Sequence, residues 1–429
     1  MEESVALVAV LICILIAAAI SKRIQGTIIT LPMVYTVLGL TLSGRALGVI
    51  ELDLENELIR IIAEVTLVLV LATDASRINL RMLMRDHSLP QRLLVIGLPL
   101  MMIFGTLAAA MLFTELTFWE AAVLAVILTP TDASLGQAVV TNPIVPVRIR
   151  QTLNVESGLN DGIAMPFLLL ALNLAIAEES PLGQSHFLSL ALTQIVFGIL
   201  AGLIVGFLGG RFVEWGQRSG WMSKAFQKIS LLAVSLLAYG AAELVGGNGF
   251  IAAFLMGVTA ANTTGKEETE PLYEYAEVEV QGLMMLTFMI VFGLVMLPLA
   301  LDQFTGPMLL YAVLSLAFFR MLAVGISLIS TKVKTMTTGF IGWFGPRGVA
   351  SILYIFTVLE EDLTGETLIY NVVMLTVLIS IFAHGITAAP ATKWYANRLK
   401  VVAKPEEAEM LDVSEMPVRA SPAATNGRG

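Results

Sequence analysis

The chain has 429 residues, of which 57% are hydrophobic and only 14% are charged, and its mean hydropathy is +0.83. A soluble domain carries charge on roughly a quarter of its residues, so this composition excludes an ordinary water-exposed surface. The net charge is −9 and no basic stripe is interleaved with aromatics, which excludes nucleic acid as an expected partner. One cysteine, Cys13, excludes an internal disulfide, and no Cys/His spacing indicates zinc or another cofactor.

Apolar runs follow one another along the chain, and each is about long enough to cross a bilayer. We therefore predict an all-α polytopic membrane protein with thirteen transmembrane helices in contact with lipid. The predicted segments are 4–21, 27–44, 58–75, 92–113, 119–140, 151–177, 187–213, 229–245, 249–263, 281–298, 307–330, 337–359 and 367–392.

The distribution of positive charge supports this count. In the first run, acidic residues precede the apolar stretch and basic residues follow it, which excludes a cleavable signal and favours an outside N-terminus. With alternating segments, only Arg45 and Arg60 of the 25 Lys and Arg residues lie in outside loops, and only Arg320 and Arg347 lie within the membrane. We expect a cell (inner) membrane protein with an outside N-terminus and a cytoplasmic C-terminus.

Two cytoplasmic segments differ from the rest. The loop 266–279, KEETEPLYEYAEVE, is acidic where the other inside loops are basic, and an interfacial helix is one interpretation of it. Residues 401–429 are rich in Pro, Ala and Glu, which is typical of disorder. We therefore divide the chain into a transmembrane domain, 1–400, and a disordered cytoplasmic tail, 401–429.

The fifth and twelfth segments contain helix-breaking residues, in ILTPTDASLG and GWFGPRGVASIL. Proline removes a backbone hydrogen bond and glycine loosens a helix, so both segments are predicted to be interrupted. If the seventh segment is a linker, these two are the fifth members of inverted six-helix repeats. Matching interruptions in inverted repeats indicate a transporter's binding site, although two ordinary proline kinks are the simpler alternative.

Charged side chains within the predicted helices converge near the middle of the membrane. At a rise of ~1.5 Å per residue, Asp161, Arg347 and Arg320 lie ~15 Å deep, Asp132 ~12 Å and Glu156 ~8 Å. A lone charge at that depth costs at least ~2.5–3.5 kcal/mol on insertion scales. We therefore expect these groups to be paired or to line a water-filled cavity.

Each charge has a structural and a functional interpretation. Glu156 and Arg320 suit an ion pair that joins two helices. Arg347 can compensate carbonyl ends exposed by the second break, and Asp132 can compensate N–H ends exposed by the first, but both can instead contact an ion. Asp161 is the strongest candidate for a carboxylate that exchanges its bound ion.

Oxygen atoms around Asp161 suggest a site for a hard monovalent cation. Ser157 and Asp161 are four residues apart and share a helix face, while Thr131, Asp132 and freed carbonyls supply further oxygens. Weaker candidates are Glu64, Glu243 and His384 within the membrane and Asp74 at the cytoplasmic end of its segment.

These motifs closely resemble the NhaP/NHE branch of the monovalent cation–proton antiporters (the sodium/hydrogen exchanger family). The resemblance rests on Thr131-Asp132 in the fifth segment, ESGLND (family pattern E-S-x-x-N-D) in the sixth, FFRMLAVG around Arg320, and GPRGVA around Arg347. It extends over nearly the whole membrane part. The sequence departs from the family at Ala133, where relatives commonly have proline, so Pro130 is left to make the break.

The resemblance implies a homodimer in which a core domain moves against a dimerisation domain, and electroneutral exchange. It also implies an ion site at Asp161 and Asp132, with Asn160 beside the essential carboxylate and a Glu156–Arg320 pair. Asp74 falls where relatives carry an acidic residue on the third helix.

The predicted function is therefore secondary active transport, not enzymatic catalysis: one monovalent cation exchanged for one proton at Asp161. The neutral Asn160 removes one charge relative to branches with two adjacent aspartates, which favours a 1:1 exchange. Na⁺ is the expected ion at Asp161 and Asp132, while Li⁺ and K⁺ stay open, so a K⁺/H⁺ antiporter is an alternative. Three rival interpretations are an ion channel, a symporter or anion carrier, and an intramembrane aspartyl protease, although neither aspartate has the G-x-G-D setting of such proteases.

Overall fold

The computed structural model describes residues 2–24, 26–180, 183–263, 272–361, 363–402, 410, 413 and 415–417. Within these residues the regular structure is helical, and one isolated β-bridge joins Ser43 to Ile50. The described helices are α1 (Glu2–Ile24), α2 (Leu31–Leu42), α3 (Glu57–Ser76), α4 (Leu80–Asp86), α5 (Ser88–Leu112), α6 (Phe118–Ile127), α7 (Gln137–Val140), α8 (Val147–Glu179), α9 (Gln184–Arg218), α10 (Lys224–Leu244), α11 (Gly249–Thr263), α12 (272–300), α13 (Gly306–Ser327), α14 (Thr335–Trp343), α15 (Val349–Leu359) and α16 (Glu366–Val402).

Seven of the described helices are long and apolar enough to cross a membrane: α1, α5, α8, α9, α12, α13 and α16. Five further apolar helical stretches have 10 to 17 residues. Large apolar side chains such as Leu15 on α1 and Leu208 on α9 are exposed, as expected for surfaces that contact lipid. The chain is a multi-pass membrane protein, as predicted.

Small residues bring α9 and α11 into close contact. Gly202 and Gly206 lie one turn apart on α9, and a Cβ at these positions would lie 2.5 Å from the Ala252 carbonyl and 2.8 Å from the Met256 carbonyl, respectively. Helices in lipid associate through such close backbone packing, since apolar side chains gain little by leaving hydrocarbon. The glycines therefore hold α9 against the rest of the helical body.

The two predicted interruptions are both present. The first separates α6 from the short α7, and residues 128–136 between them are not helical. The second separates α14 from α15, where residues 344–348 run in a non-helical conformation. Both non-helical stretches are mostly buried, so their backbone groups need partners from neighbouring elements.

The two segments that were predicted to be cytoplasmic are described only in part. Residues 266–271 of the acidic loop lie outside the described residues, and 272–279 form the first turns of α12. The last helix, α16, continues to Val402. Of the tail, only 410, 413 and 415–417 are described beyond this helix, and 415–417 contact α8. The backbone groups of Met416 and Pro417 bond to buried side-chain amides on α8.

Candidate functional site

The two interrupted segments cross and bond to each other at Asp132. Its backbone N–H donates to the Pro346 carbonyl at 2.8 Å. Its carboxylate accepts from the Ser134 N–H at 2.8 Å through Oδ1 and from the Val349 N–H at 3.1 Å through Oδ2. Val349 is the first residue of α15, so Asp132 caps the N-terminus of the opposite half-helix, where a negative charge is favoured. The sequence predicted that Asp132 compensates N–H groups at the first break. In the structure its carboxylate also accepts an N–H group at the second break.

Arg347 satisfies backbone carbonyls at the breaks, as Asp132 satisfies backbone N–H groups. Its side chain is buried, and it donates through Nε to the Leu128 carbonyl and through Nη1 to the Gly345 carbonyl. Leu128 caps the C-terminus of α6, so the positive guanidinium compensates carbonyls left over by the first break. The Arg347 N–H is itself satisfied by the Ser380 hydroxyl at 2.6 Å.

The helix that carries ESGLND, α8, also bonds to the first break, at Thr131. The Ser157 hydroxyl donates to the Thr131 carbonyl, and the Asn160 amide donates through Nδ2 to the Thr131 hydroxyl at 2.7 Å. The oxygen of the same side-chain amide, Asn160 Oδ1, is buried and accepts no hydrogen bond from the described residues. Thr131 is thereby fixed at both its backbone and its side chain, and a buried acceptor stands beside it.

Asp161 lies one turn after Ser157 on α8 and is buried. Its backbone carbonyl accepts from the Tyr354 hydroxyl on α15, so the ion-exchange candidate is held against the half-helix that Asp132 caps. Three elements, the first break, α8 and α15, therefore meet at Thr131, Asp132 and Asp161.

Glu156 and Arg320 form a bidentate ion pair between α8 and α13. Arg320 Nη2 lies 2.8 Å from Glu156 Oε2, and Nη1 bonds Oε1. The two side chains are only 1% and 3% exposed for Arg320 and Glu156, respectively. A π-helical stretch, Leu314–Phe319, immediately precedes Arg320, and Gly345 packs so closely on the guanidinium that a Cβ would overlap it. The pair therefore joins α8 to α13.

A small cavity of about 10 Å³ adjoins the crossing, which is room for roughly one water-sized particle. Its polar lining comes from Thr131, Asp132 and Ser157. Among the described residues, no group of three or more His, Cys, Asp or Glu side chains could hold a metal ion. The oxygens available here are hydroxyls, carbonyls and carboxylates, which suit a hard monovalent cation better than a transition metal.

Asp74 lies on α3 near its end, and its Oδ1 is 3.4 Å from Arg77 Nη1. It is buried and shares a second small cavity with residues of the first break and α8. The lining residues of this second cavity are Asp74, Arg77, Ile78, Ala133, Asn154 and Gly158. Asp74 therefore neighbours the candidate site without being among the residues at the crossing.

The remaining weaker candidates serve other contacts. Glu64 pairs with Arg60 at 2.8 Å, and Glu243 accepts from the Gly249 N–H at 2.9 Å, where it satisfies the start of α11. His384 Nε2 lies 2.9 Å from the Trp343 carbonyl, at the last residue of α14. None of these three is among the groups gathered around Thr131 and Asp132.

Three polar residues at the breaks were missed by the sequence analysis. Ser351 donates to the Ile127 carbonyl at 2.8 Å, Ser380 satisfies the Arg347 N–H, and Tyr354 bonds the Asp161 carbonyl. A hydroxyl in an apolar helix is a weak signal, because it can bond its own helix carbonyl four residues back. Only the three-dimensional crossing distinguishes these hydroxyls from the others.

Fold and site together define a class of protein. Two interrupted helices that cross at buried charges, inside a multi-pass helical membrane protein, are characteristic of secondary transporters.

The family model for the transmembrane part of sodium/hydrogen exchangers matches residues 7–394. The protein belongs to this sodium/hydrogen exchanger family, which is a family of transporters and not of enzymes. The motif-based resemblance is therefore confirmed at the level of the family.

Individual relatives are more distant. The chain is 26% identical over 403 residues to a protein named K(+)/H(+) antiporter NhaP from Alkalimonas amylolytica, covering 93% of this chain and 67% of that one. It is 27% identical over 289 residues to the K(+)/H(+) antiporter NhaP2 of Shewanella sp. (strain ANA-3), covering 66% of this chain and 49% of that one. The chain thus spans about two thirds of the first relative and about half of the second.

A solved structure has the same fold. The sodium proton antiporter MjNhaP1 from Methanocaldococcus jannaschii, at pH 8, superposes with a TM-score of 0.74 at 20% identity, covering 93% of this chain and 99% of that one.

Proposed function

We propose that the protein is a secondary active antiporter that exchanges a monovalent cation for a proton. The observation that carries the proposal is the crossing of the two breaks, where Asp132 and Arg347 satisfy opposite half-helix ends beside α8. A static pore has no need of two broken helices bonded to each other, whereas a carrier that alternates its access uses them to hold an ion at mid-membrane.

Asp161 is the proposed shared site for proton and cation. It is buried on the same helix as Ser157 and Asn160, which both bond Thr131 at the first break. In this proposal a cation takes oxygens from Asp161, Asp132 and the Thr131 region, with Ser157 and Asn160 as positioning residues. The buried, otherwise unbonded Asn160 Oδ1 supports a further ligand at this place.

The proposed stoichiometry is one proton for one cation. In this proposal protons and cations compete for the Asp161 carboxylate. The carrier then changes face only when Asp161 holds one or the other. Asn160 adds no charge to the site, which leaves a single exchangeable charge per cycle.

The transported cation is proposed as Na⁺, with K⁺ as the alternative and Li⁺ as a further substrate. The names of the relatives point in both directions, since two are K(+)/H(+) antiporters and the solved structure is a sodium proton antiporter. An ion channel is a second candidate function, favoured only by the buried charges themselves.

We also propose the finer architecture: thirteen crossings, inverted six-helix repeats, an outside N-terminus, a cytoplasmic C-terminus and a homodimer in the inner membrane. Each predicted segment overlaps a described helix or a pair of half-helices, which supports the count. The residue range of the proposed transmembrane domain is 1–400.

The test is proton movement in proteoliposomes with an acidic interior and a pH-sensitive dye. Addition of Na⁺, Li⁺ or K⁺ in turn should dequench the dye for the transported ions, and clamping the membrane potential should leave the initial rate unchanged. A rate that follows the potential contradicts 1:1 exchange. Cation flux without any proton movement would replace the antiporter with a channel.

A further inference from the structure

The tail residues Glu415, Met416 and Pro417 are docked on the first turns of α8. Gln151 bonds the backbone of Met416 in both directions: its Nε2 donates to the Met416 carbonyl at 2.9 Å, and its Oε1 accepts from the Met416 N–H at 3.1 Å. The Gln151 side-chain amide thus makes the same pair of hydrogen bonds with the Met416 backbone that a neighbouring β-strand would make.

Two further contacts extend the docking site. The Asn154 amide donates to the Pro417 carbonyl at 3.0 Å, and Arg150 Nη2 lies 3.6 Å from Glu415 Oε1. Gln151, Asn154 and Met416 are all buried, and the Met416 side chain belongs to the main apolar core. The Met416 side chain is therefore inserted into the protein, and its backbone N–H and carbonyl are both bonded.

The docking site adjoins the ion site through Asn154. This residue lies three positions before Ser157 on α8, and it lines the cavity that Asp74, Ala133 and Gly158 also line. Ala133 directly follows Asp132. The Pro417 carbonyl is thus bonded to a wall of the space between α3, the first break and α8.

We propose that the segment Glu415–Pro417 is an intramolecular ligand of α8 that restrains transport: docked, it holds the start of the ESGLND helix beside the cavity that Asn154 and Asp74 line. Carriers change face by moving one group of helices against another, and a segment that binds α8 in one of these arrangements favours that arrangement. Release of the tail therefore increases the exchange rate. This regulatory role rests on the proposed antiport function, whereas the docking site itself does not.

Docking is tested by thiol labelling of the full chain in a Cys13→Ser background. Met416 is 2% exposed and Met410 is 47% exposed, so Met416→Cys and Met410→Cys are matched probes in the same tail. Met416→Cys should react with a maleimide at least ~10-fold more slowly than Met410→Cys, because a buried thiol reacts only when its segment opens. Adding Gln151→Leu removes both Met416 backbone bonds and should accelerate Met416→Cys alone. Equal labelling of the two thiols in the otherwise native chain overturns the proposal.

Restraint is tested by transport in proteoliposomes. Met416→Glu places a charge in the apolar site and expels the tail, whereas Met410→Glu is the exposed control. Each lost hydrogen bond shifts the docking equilibrium on the order of fivefold, so we expect a severalfold higher initial rate for Met416→Glu and for Gln151→Leu, with Met410→Glu unchanged. Rates equal to or below that of the native protein overturn the restraint.

The two tests separate this proposal from the proposed function. If no protein, native or variant, moves protons in response to cations, antiport and its restraint both fail, while slow labelling of Met416→Cys still establishes the docking site. If the native protein transports and the tail variants do not differ from it, antiport stands and the restraint alone is wrong.

Discussion

At the scale of single residues, the buried charges divide into two kinds. Asp132 and Arg347 satisfy backbone ends created by the breaks, and Glu156 and Arg320 satisfy each other. Since a charge inside a membrane protein needs a partner or a cavity, these contacts account for four of the five charges. Asp161 is the carboxylate for which we propose a partner that changes during transport.

Glu156→Gln should destabilise the protein because it leaves Arg320 charged and buried without its anion. The expected loss is about 3–5 kcal/mol in the free energy of unfolding, read as a lower melting temperature in detergent. The double variant Glu156→Gln/Arg320→Met removes both charges and should recover most of that stability. A Glu156→Gln protein as stable as the native one would show that the pair is not the connection between α8 and α13.

Asp132→Asn should also lower the melting temperature, for a different reason. The aspartate uses one oxygen for the Ser134 N–H and the other for the Val349 N–H, and asparagine offers only one acceptor. Loss of one capping bond costs about 1 kcal/mol. Ser134→Ala is the control, since both backbone bonds stay in place. Equal stability of Asp132→Asn and the native protein would argue against the capping role.

At the scale of elements, the crossing depends on how closely the two breaks approach. Gly348 lies against the Asp132 carboxylate, and a Cβ there would overlap Asp132 Oδ2. The half-helix α15 can begin where it does only because that position has no side chain. The crossing is thus specified by glycine as well as by charge.

Gly348→Ala should therefore push Asp132 away from the start of α15 and cost about 1–3 kcal/mol of stability, with loss of transport. Gly339→Ala is the matched control on α14, because a Cβ at Gly339 meets nothing within 4 Å. Melting temperature and dye dequenching would be measured for both. If the two alanine variants behave alike, neither stability nor transport depends on the close approach at Gly348.

At the scale of the whole molecule, an odd number of crossings puts the two termini on opposite sides. The proposed orientation places the loop at Glu51 outside and the loop at Ser219 in the cytoplasm, and both residues are exposed. The bias in Lys and Arg between the loops is the physical basis of this assignment.

In a Cys13→Ser background, Glu51→Cys should react with a membrane-impermeant maleimide in intact cells. Ser219→Cys should react only after the cells are permeabilised. The reverse pattern would invert the topology and, with it, the side from which the docked tail acts.

The sequence predicted the features that leave a local signal. Proline, glycine and charge within apolar runs located both breaks, and the opposite charges of Glu156 and Arg320 within apolar segments suited an ion pair. It did not predict that Asp132 caps α15, since that bond joins positions 217 residues apart. Nor did it predict the π-helical stretch before Arg320 or the docking of Met416 on Gln151, because neither pattern differs locally from an ordinary helix or an ordinary tail.

The central claim, that Asp161 exchanges protons for cations, is tested most directly with Asp161→Asn in proteoliposomes. Glu120→Gln is the matched control, because Glu120 is likewise a buried carboxylate, and it caps α6 away from the crossing. The native protein and Glu120→Gln should dequench a pH-sensitive dye when the transported cation is added, and a folded Asp161→Asn should give no response. A cation-dependent response that persists in Asp161→Asn would contradict the claim and transfer the exchange site to Asp132.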